Sequence, residues 1–373
     1  MNLLMLASFG EIASYVGYIA LAILVLLIMI TVHEFGHYVT GRIFKFGIEE
    51  FAIGFGPKLF SKKKKNGEII SVRLLPIGGF CAFKGEDEDS EDPSAFNNKK
   101  WWQRIIVLVS GALMNYILAL LIIMLSFGIY GQTVLMPKYV EPTNEIAVEN
   151  CFVEDDIIIS ANGKNIYLIP DLMDAIDGKK QGELVDFVVR RDGVDTTVKI
   201  AMRCDVNLAN LEDMVTLHKA LGIMYRTDQN GQLEASALYQ TSIKLGFFQL
   251  IGRSFEYSFA IAGSIFKILG QLVTGMLGIG SLGGTVTTIS VTADAIKIGG
   301  LRNLLSITSF IGVNLAVFNL LPFPALDGSR TVFTLIEGIR RKPLNRRVEG
   351  LIHMVGLILL LVFAVFVDLQ RCF

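Results

Sequence analysis

The sequence predicts a polytopic α-helical membrane protein of about four transmembrane helices, with a membrane-associated β-sheet loop and an inserted extracytoplasmic α+β domain. Three observations predict it. Of the 373 residues, 52% are hydrophobic and only 18% charged, with a mean hydropathy of +0.52, far too apolar for a soluble domain of this size. Long apolar runs recur along the chain, and one polar stretch of roughly 100 residues between the second and third is long enough for a domain of its own. The net charge of -1 is spread over several loops with no basic stripe, which excludes a nucleic-acid partner. Cys81, Cys151, Cys204 and Cys372 form no CxxC pair, so zinc ribbons and redox motifs are excluded. Cys151 and Cys204 are read as free thiols or as one disulfide.

The first span covers about Gly17 to Val32, almost purely Leu, Ile, Val, Ala and Met, and the first basic residue of the chain is Arg42. Glu11 precedes this run and no small-residue cleavage site follows it, so it reads as a retained helix rather than a signal peptide. Further spans are expected from about Ile105 to Tyr130, Leu304 to Leu321 and Leu351 to Val367. Lys and Arg concentrate between Arg42 and Arg104, with Lys62 to Lys65 in a row, and between Arg330 and Arg347. Basic loops stay cytoplasmic, which puts both termini and the stretch from about Gln132 to Tyr239 outside. Between Ser242 and Gly275 Lys244, Arg253, Glu256 and Lys267 punctuate an apolar stretch. It reads as one or two amphipathic helices on the outer membrane face, a fifth span being the rival. The expected divisions are 1–131, an N-terminal membrane half; 132–239, the outer domain; 240–300, the surface segment; and 301–373, a C-terminal membrane half.

The first span ends in His33-Glu34-Phe35-Gly36-His37. Histidines at i and i+4 share one helix face and can grip one zinc ion, while Glu34 reaches water beside it as a general base. Such groups in an apolar span are costly without a function. By helix rise Glu34 lies about 12 Å inside Arg42. Catalytic zinc usually takes a third protein ligand. His218 falls in the outer domain and His353 opens the fourth span, whereas Asp327 follows the third span directly, in Asn319-Leu320-Leu321-Pro322-Phe323-Pro324-Ala325-Leu326-Asp327-Gly328. The two prolines preclude a regular helix there, so the chain can turn Asp327 back towards the histidines.

HEFGH, Phe51-x-x-Gly54-Phe55-Gly56-Pro57, Pro76-x-Gly78-Gly79-Phe80 and Asn319-Leu320-Leu321-Pro322 leading to Leu326-Asp327-Gly328 together resemble the site-2 protease family of intramembrane zinc metalloproteases. The similarity is greatest to its bacterial regulated-proteolysis type, which carries one PDZ domain between the second and third spans. It implies Zn2+ on His33, His37 and Asp327 and catalysis by Glu34 in a bacterial inner membrane. It further implies single-pass substrates, such as anti-sigma factors and remnant signal peptides, trimmed outside by a site-1-type protease. Two departures concern loops only: Gly280-Ser281-Leu282-Gly283-Gly284 lacks the family's proline, and Gly328-Ser329-Arg330 replaces a run of glycines.

Alternation between Ile48 and Lys84, with a turn at Asn66-Gly67, predicts a small β-sheet. Its segment from Ile77 to Phe83, with Gly78, Gly79 and Phe80 as substrate-binding residues, can offer an edge to an unwound substrate or merely pack the membrane surface; the acidic run from Glu86 to Asp92 reads as a solvated loop. Asn314 and Asn319 can hold helices together; the resemblance favours contact with the substrate backbone. In the outer domain, strands near Asp156 to Ser160 and Glu183 to Arg190, a turn at Asn162-Gly163 and a helix from about Pro170 to Ile176 suit a PDZ fold. Asn150-Cys151 and Asp155-Asp156 replace that fold's usual Ala-Gly and Gly-Asp, leaving a size filter as its other use. No GxSG or GxGD supports a serine or aspartyl intramembrane protease, and a catalytically inactive PDZ-bearing scaffold would leave Glu34 idle.

Overall fold

The computed structural model of the protein describes residues 9–86, 90–140, 151–207, 214–229, 233–275, 278 and 283–370. In chain order, α1 (Phe9–Ile43) is followed by β1 (Ile48–Lys63), β2 (Ile69–Phe83) and α2 (Trp101–Tyr130). Next come β3 (Gln132–Pro137), β4 (Ile157–Ala161), β5 (Lys164–Asn165), α3 (Ile169–Ile176), β6 (Leu184–Arg191) and β7 (Val194–Ala201). The chain continues through α4 (Met214–Leu221), β8 (Tyr225–Thr227), β9 (Leu233–Ser236), β10 (Leu238–Ile243) and α5 (Phe247–Val273), then α6 (Thr285–Leu320), α7 (Asp327–Arg340) and α8 (Arg346–Gln370). Residues 1–123 with 279–373 form one compact unit and residues 124–278 a second.

Four helices of the described chain, α1 from Ile12, α2, α6 and α8, are long and apolar enough to cross a membrane, with mean hydropathies of 2.6, 2.5, 1.5 and 2.8. That is the number the apolar runs predict. In the first unit α1 packs against α2 and α6 through Val25, Met29, Leu118, Ile122, Ile307 and Ile311. Small residues bring the backbones close: a Cβ on Gly36 of α1 would lie 2.4 Å from the Ser110 carbonyl oxygen of α2, and one on Gly312 of α6 would lie 2.9 Å from the Ala119 Cβ. Such small-residue seams suit helix contact within lipid, where burial of apolar surface no longer drives association.

The helix around the third expected span starts at Thr285, not near Leu304, and is interrupted at Gly300 (φ 55°, ψ −136°), a backbone region open only to glycine. Its first turn is capped from α8, since the Val286 and Thr287 amides donate to the Asp368 carboxylate at 3.0 and 3.1 Å. After it residues 321–326, which hold both prolines, are non-helical, and α7 begins at Asp327.

Strands β1 and β2 form one antiparallel sheet of long, bent strands. Positive φ angles at Gly54 (86°), Gly56 (84°) and Gly78 (120°) mark the bends. The bending lets Ala52 pair with Ser71 on one side and Phe80 on the other, which leaves Gly79 to Phe83 as an outer strand. Phe46, Phe83 and Phe96 pack beneath it against Val107 and Leu108 of α2.

In the second unit the strand order is β10-β3-β4-β6-β7, with β5 added to β4 through the tight turn at Asn162 and Gly163, whose φ angles of 50° and 74° suit a two-residue hairpin. Ile158, Phe187, Leu172, Ile176, Leu217 and Ile200 fill its core. Asp171 opens α3 by accepting from the Tyr167 and Leu168 amides at 2.9 and 2.8 Å. Of the segment from Ser242 to Gly275, Ser242 and Ile243 finish β10, and Phe247–Val273 form a single long helix, α5. Its polar side meets the sheet domain, where Tyr167 and Asn165 hydrogen-bond Glu256 and Lys267 pairs with Asp174. Phe247, Phe248, Phe259 and Phe266 stand exposed along it. Cys151 and Cys204 are not joined by a disulfide, while Asn150 lies outside the described residues, as do positions 87–89 of the acidic run and 280–282 of the glycine-rich run.

Candidate metal centre

His33 and His37 lie on one face of α1, one turn apart and each 7% exposed. Asp327 reaches them from across the chain. Its Oδ2 is 2.9 Å from His33 Nε2 and 3.3 Å from His37 Nε2, and the two Nε2 atoms are 3.1 Å apart. A tetrahedral zinc with bonds of about 2.0 to 2.1 Å sets neighbouring ligand atoms about 3.3 Å apart. The observed triangle has that size. It contains two nitrogens and a carboxylate oxygen, the donor types that zinc accepts. Among the described residues, this is the group of three or more His, Cys, Asp or Glu able to hold a metal ion.

Each donor is aimed by its surroundings. His37 Nδ1 lies 2.8 Å from the Val107 carbonyl oxygen, so Nδ1 carries the hydrogen and donates it, leaving the Nε2 lone pair turned to the centre. The two rings rest on Gly111 of α2: a Cβ there would lie 2.5 Å from His37 Nε2 and 2.8 Å from His33 Cε1. Beyond the same glycine, Asn115 is 1% exposed and its Nδ2 is 3.5 Å from His33 Nδ1. Asp327 is held through its turn. The Ala325 amide, at φ 78°, donates to His353 Nδ1 at 3.2 Å, and Gly328 has no room for a Cβ, which would lie 2.2 Å from the Leu321 carbonyl oxygen. Gly356 of α8 gives Pro324 the same clearance, with 2.3 Å to a Cβ.

A cavity of about 270 Å³ is lined by Glu34, His37 and Asp327 together with Phe80 to Phe83 of the outer strand. Glu34 faces the Cys81 backbone amide, and its Cγ would be 3.6 Å from a Cβ on Gly79. Arg330 and Glu86 pair in the cavity wall. Glu34, His37, Asp327 and the outer strand therefore border one space.

The structure thus gathers His33, Glu34, His37, Asp327 and Phe80 at one point. Gly78 and Gly79 shape the strand rather than line the cavity: a Cβ on Gly78 would lie 2.1 Å from the Phe55 ring. Asn314 turns its amide back to the Phe310 carbonyl at 2.8 Å, and Asn319 is half-buried near the end of α6; neither lines the cavity. His353 braces the Asp327 turn from α8. Sequence reasoning passed over Gly111, Asn115 and the Val107 carbonyl. The signal available was Ser110-Gly111-Ala112, a run of small residues in a span, followed by a lone asparagine.

The sequence profile of peptidase family M50 matches residues 21–363. A Clostridium perfringens protein named as a zinc metalloprotease is 33% identical over 357 residues, covering 95% of this chain and 98% of its own length. The zinc metalloprotease RasP of Bacillus licheniformis is 28% identical over 438 aligned residues, 94% of this chain and 98% of that protein. A Fusobacterium nucleatum protein, also named as a zinc metalloprotease, is 29% identical over 358 residues, 94% of this chain and 97% of its own. A match that runs from the first membrane-length helix into the last includes every donor of the centre, and the chain belongs to peptidase family M50, the site-2 protease family.

Proposed function

We propose that this zinc metalloprotease cuts single-pass membrane proteins within their membrane-spanning segments, acting on anti-sigma factors and remnant signal peptides after a site-1-type protease has trimmed them outside. The observation that carries this reading is the triangle of His33, His37 and Asp327 donors beside Glu34, in a helix long and apolar enough to cross a membrane. Zinc held by these three residues supplies a Lewis acid that polarises the scissile carbonyl and acidifies water. Glu34 takes the proton of the attacking water and delivers it to the leaving amine. Gly79 to Phe83 receive the substrate as an added strand, which exposes a peptide bond that a helix would shield. Asn314 and Asn319 contact the substrate backbone as it unwinds.

The same reading sets the topology of a multi-pass protein of the bacterial inner membrane. Lys62 to Lys65 and the basic residues from Arg340 to Arg347 face the cytoplasm; residues 132–239 lie outside as a PDZ-like domain. The exposed phenylalanines of α5 support a helix resting on the outer membrane surface, as the segment 240–300 requires.

Glu34→Gln tests the function directly. The amide keeps the shape of the carboxylate but cannot take the proton, so zinc content should stay at the wild-type level while trimmed membrane stubs accumulate. Helix-loosening residues in a substrate span should speed the wild type and leave Glu34→Gln inactive. Cleavage by Glu34→Gln at the wild-type rate would remove Glu34 from the mechanism; unchanged stub levels in cells would favour a scaffold.

A further inference from the structure

The tautomer of His33 is not set in the way that of His37 is. His37 donates from Nδ1 to a backbone carbonyl, and its Nε2 is thereby free for metal. His33 Nδ1 faces the side chain of Asn115 instead, at 3.5 Å from Nδ2, while Asn115 Oδ1 is buried without any hydrogen-bond partner. In that orientation the amide donates to His33 Nδ1, which places the ring hydrogen on Nε2. The hydrogen would point at Asp327 Oδ2 and His37 Nε2, where a metal ligand must offer a lone pair.

A half-turn of the amide exchanges its oxygen and nitrogen and moves nothing else. Oδ1 then accepts from His33 Nδ1–H, the buried oxygen gains its partner, and Nε2 presents its lone pair. We propose that Asn115 is a positioning residue of the metal centre, an acceptor that holds His33 in the metal-binding tautomer. This inference rests on the assignment of zinc to His33, His37 and Asp327. It gives the two histidines equivalent support from one helix, a backbone carbonyl at Val107 and a side-chain carbonyl at Asn115, on either side of Gly111. It also gives a reason for a fully buried amide in an apolar helix, which is otherwise costly.

The test is zinc affinity by chelator competition on the full-length protein in detergent, with the Co2+ absorption spectrum as a second readout and the melting temperature of the metal-free protein as a third. Asn115→Ala and Asn115→Leu should bind zinc about 10- to 100-fold more weakly and alter the Co2+ spectrum, without a matching loss in metal-free melting temperature. Asn115→Asp keeps an acceptor and discards the donor, so it should bind zinc at the wild-type affinity or tighter, with a wild-type Co2+ spectrum. Wild-type affinity in Asn115→Ala, or Asn115→Asp as weak as Asn115→Ala, overturns the proposal. If the alanine and leucine variants do not fold, weakened binding by Asn115→Asp alone overturns it. His33→Ala separates the two layers of argument: wild-type zinc affinity there removes the ligand assignment itself, whereas loss there with an unaffected Asn115→Ala removes only the role of Asn115.

Discussion

Gly111→Ala adds a single methyl group where the two histidine rings rest. The new Cβ would stand 2.5 Å from His37 Nε2, 2.7 Å from His37 Cε1 and 2.8 Å from His33 Cε1. Ordinary contact begins near 3.4 Å, so ring or helix must yield by nearly 1 Å. His37 cannot swing aside cheaply, because its Nδ1 is bonded to the Val107 carbonyl. Withdrawal of α1 would open the close seam in which Gly36 is seated against the Ser110 backbone. Metal–ligand distances tolerate only about 0.2 Å. Overpacking of this kind costs about 1 to 3 kcal/mol, equal to roughly a 5- to 150-fold loss in zinc affinity if all of it falls on the metal-bound state, and a 1 Å misplacement costs about a hundredfold in rate. The assay is zinc content and chelator competition on protein purified in detergent, followed by cleavage at saturating zinc. Gly17→Ala in α1, where a Cβ meets nothing within 4 Å, is the control and should match the wild type in both. Wild-type zinc affinity in Gly111→Ala would refute the argument that α2 sets the spacing of the donors.

Asp327→Ala should abolish stoichiometric zinc, whereas His353→Ala, which loses the hydrogen bond to the Ala325 amide and the ring contact with Phe333, should keep it; metal analysis checks both. Burial would raise the carboxyl of Glu50, but hydrogen bonds from Ser71, Arg73 and Lys58 outweigh it and hold the group at about 2 against an ordinary 4.5. A depressed carboxyl stabilises the fold above its unfolded value and loses that contribution as pH falls through the folded one, so stability should decline between pH 4.5 and pH 2. Glu50→Gln should flatten that decline in unfolding measurements, and an unchanged slope would remove Glu50 as its source. Glu337 is paired with Arg104 at 2.6 Å and Arg346 at 3.1 Å. Glu337→Leu should therefore cost about 3 to 5 kcal/mol by stranding Arg104, and a loss of only about 0 to 1 kcal/mol in thermal unfolding would mark the pair as solvated.

The elements legible in the sequence are those whose signal is local. Four apolar runs mark four membrane-length helices, and the i, i+4 histidines declare their shared face, because both depend only on neighbours within one element. Asp327 was legible through its position after the third run, opposite an unfinished ligand set. Helix α7 was not, because Asp327-Gly328 after two prolines carries the chemistry of a turn and the helix that follows is short and charged. The bends of β1 and β2 were not legible either, because the glycines that break the alternation bend the strands without ending them. Gly111, Asn115 and the Val107 carbonyl were hidden for a different reason. Asn115 meets His33 across 82 positions of sequence, and nothing within either helix states which faces will touch.

The break in α6 has a consequence of its own. Unbroken, 36 residues would make a rod of about 54 Å, against a hydrocarbon thickness of about 30 Å; from Leu301 onward the remaining rod is about 30 Å long. A break interrupts the hydrogen-bond ladder of a helix, and each carbonyl it leaves unpaired needs another donor. Asn303 supplies an added donor beside the break, folding back to donate to the Ala295 carbonyl at 3.0 Å. It can do so because residue 299 is a glycine, where a Cβ would come within 2.1 Å of the Asn303 amide carbon. Gly299, Gly300 and Asn303 thus work together at the bend: one glycine permits it, and the other clears space for the side chain that bridges it. Asparagine in a membrane helix is here part of the backbone in all but covalent connection, and replacing it with leucine would raise the cost of the bend rather than make the helix more at home in lipid.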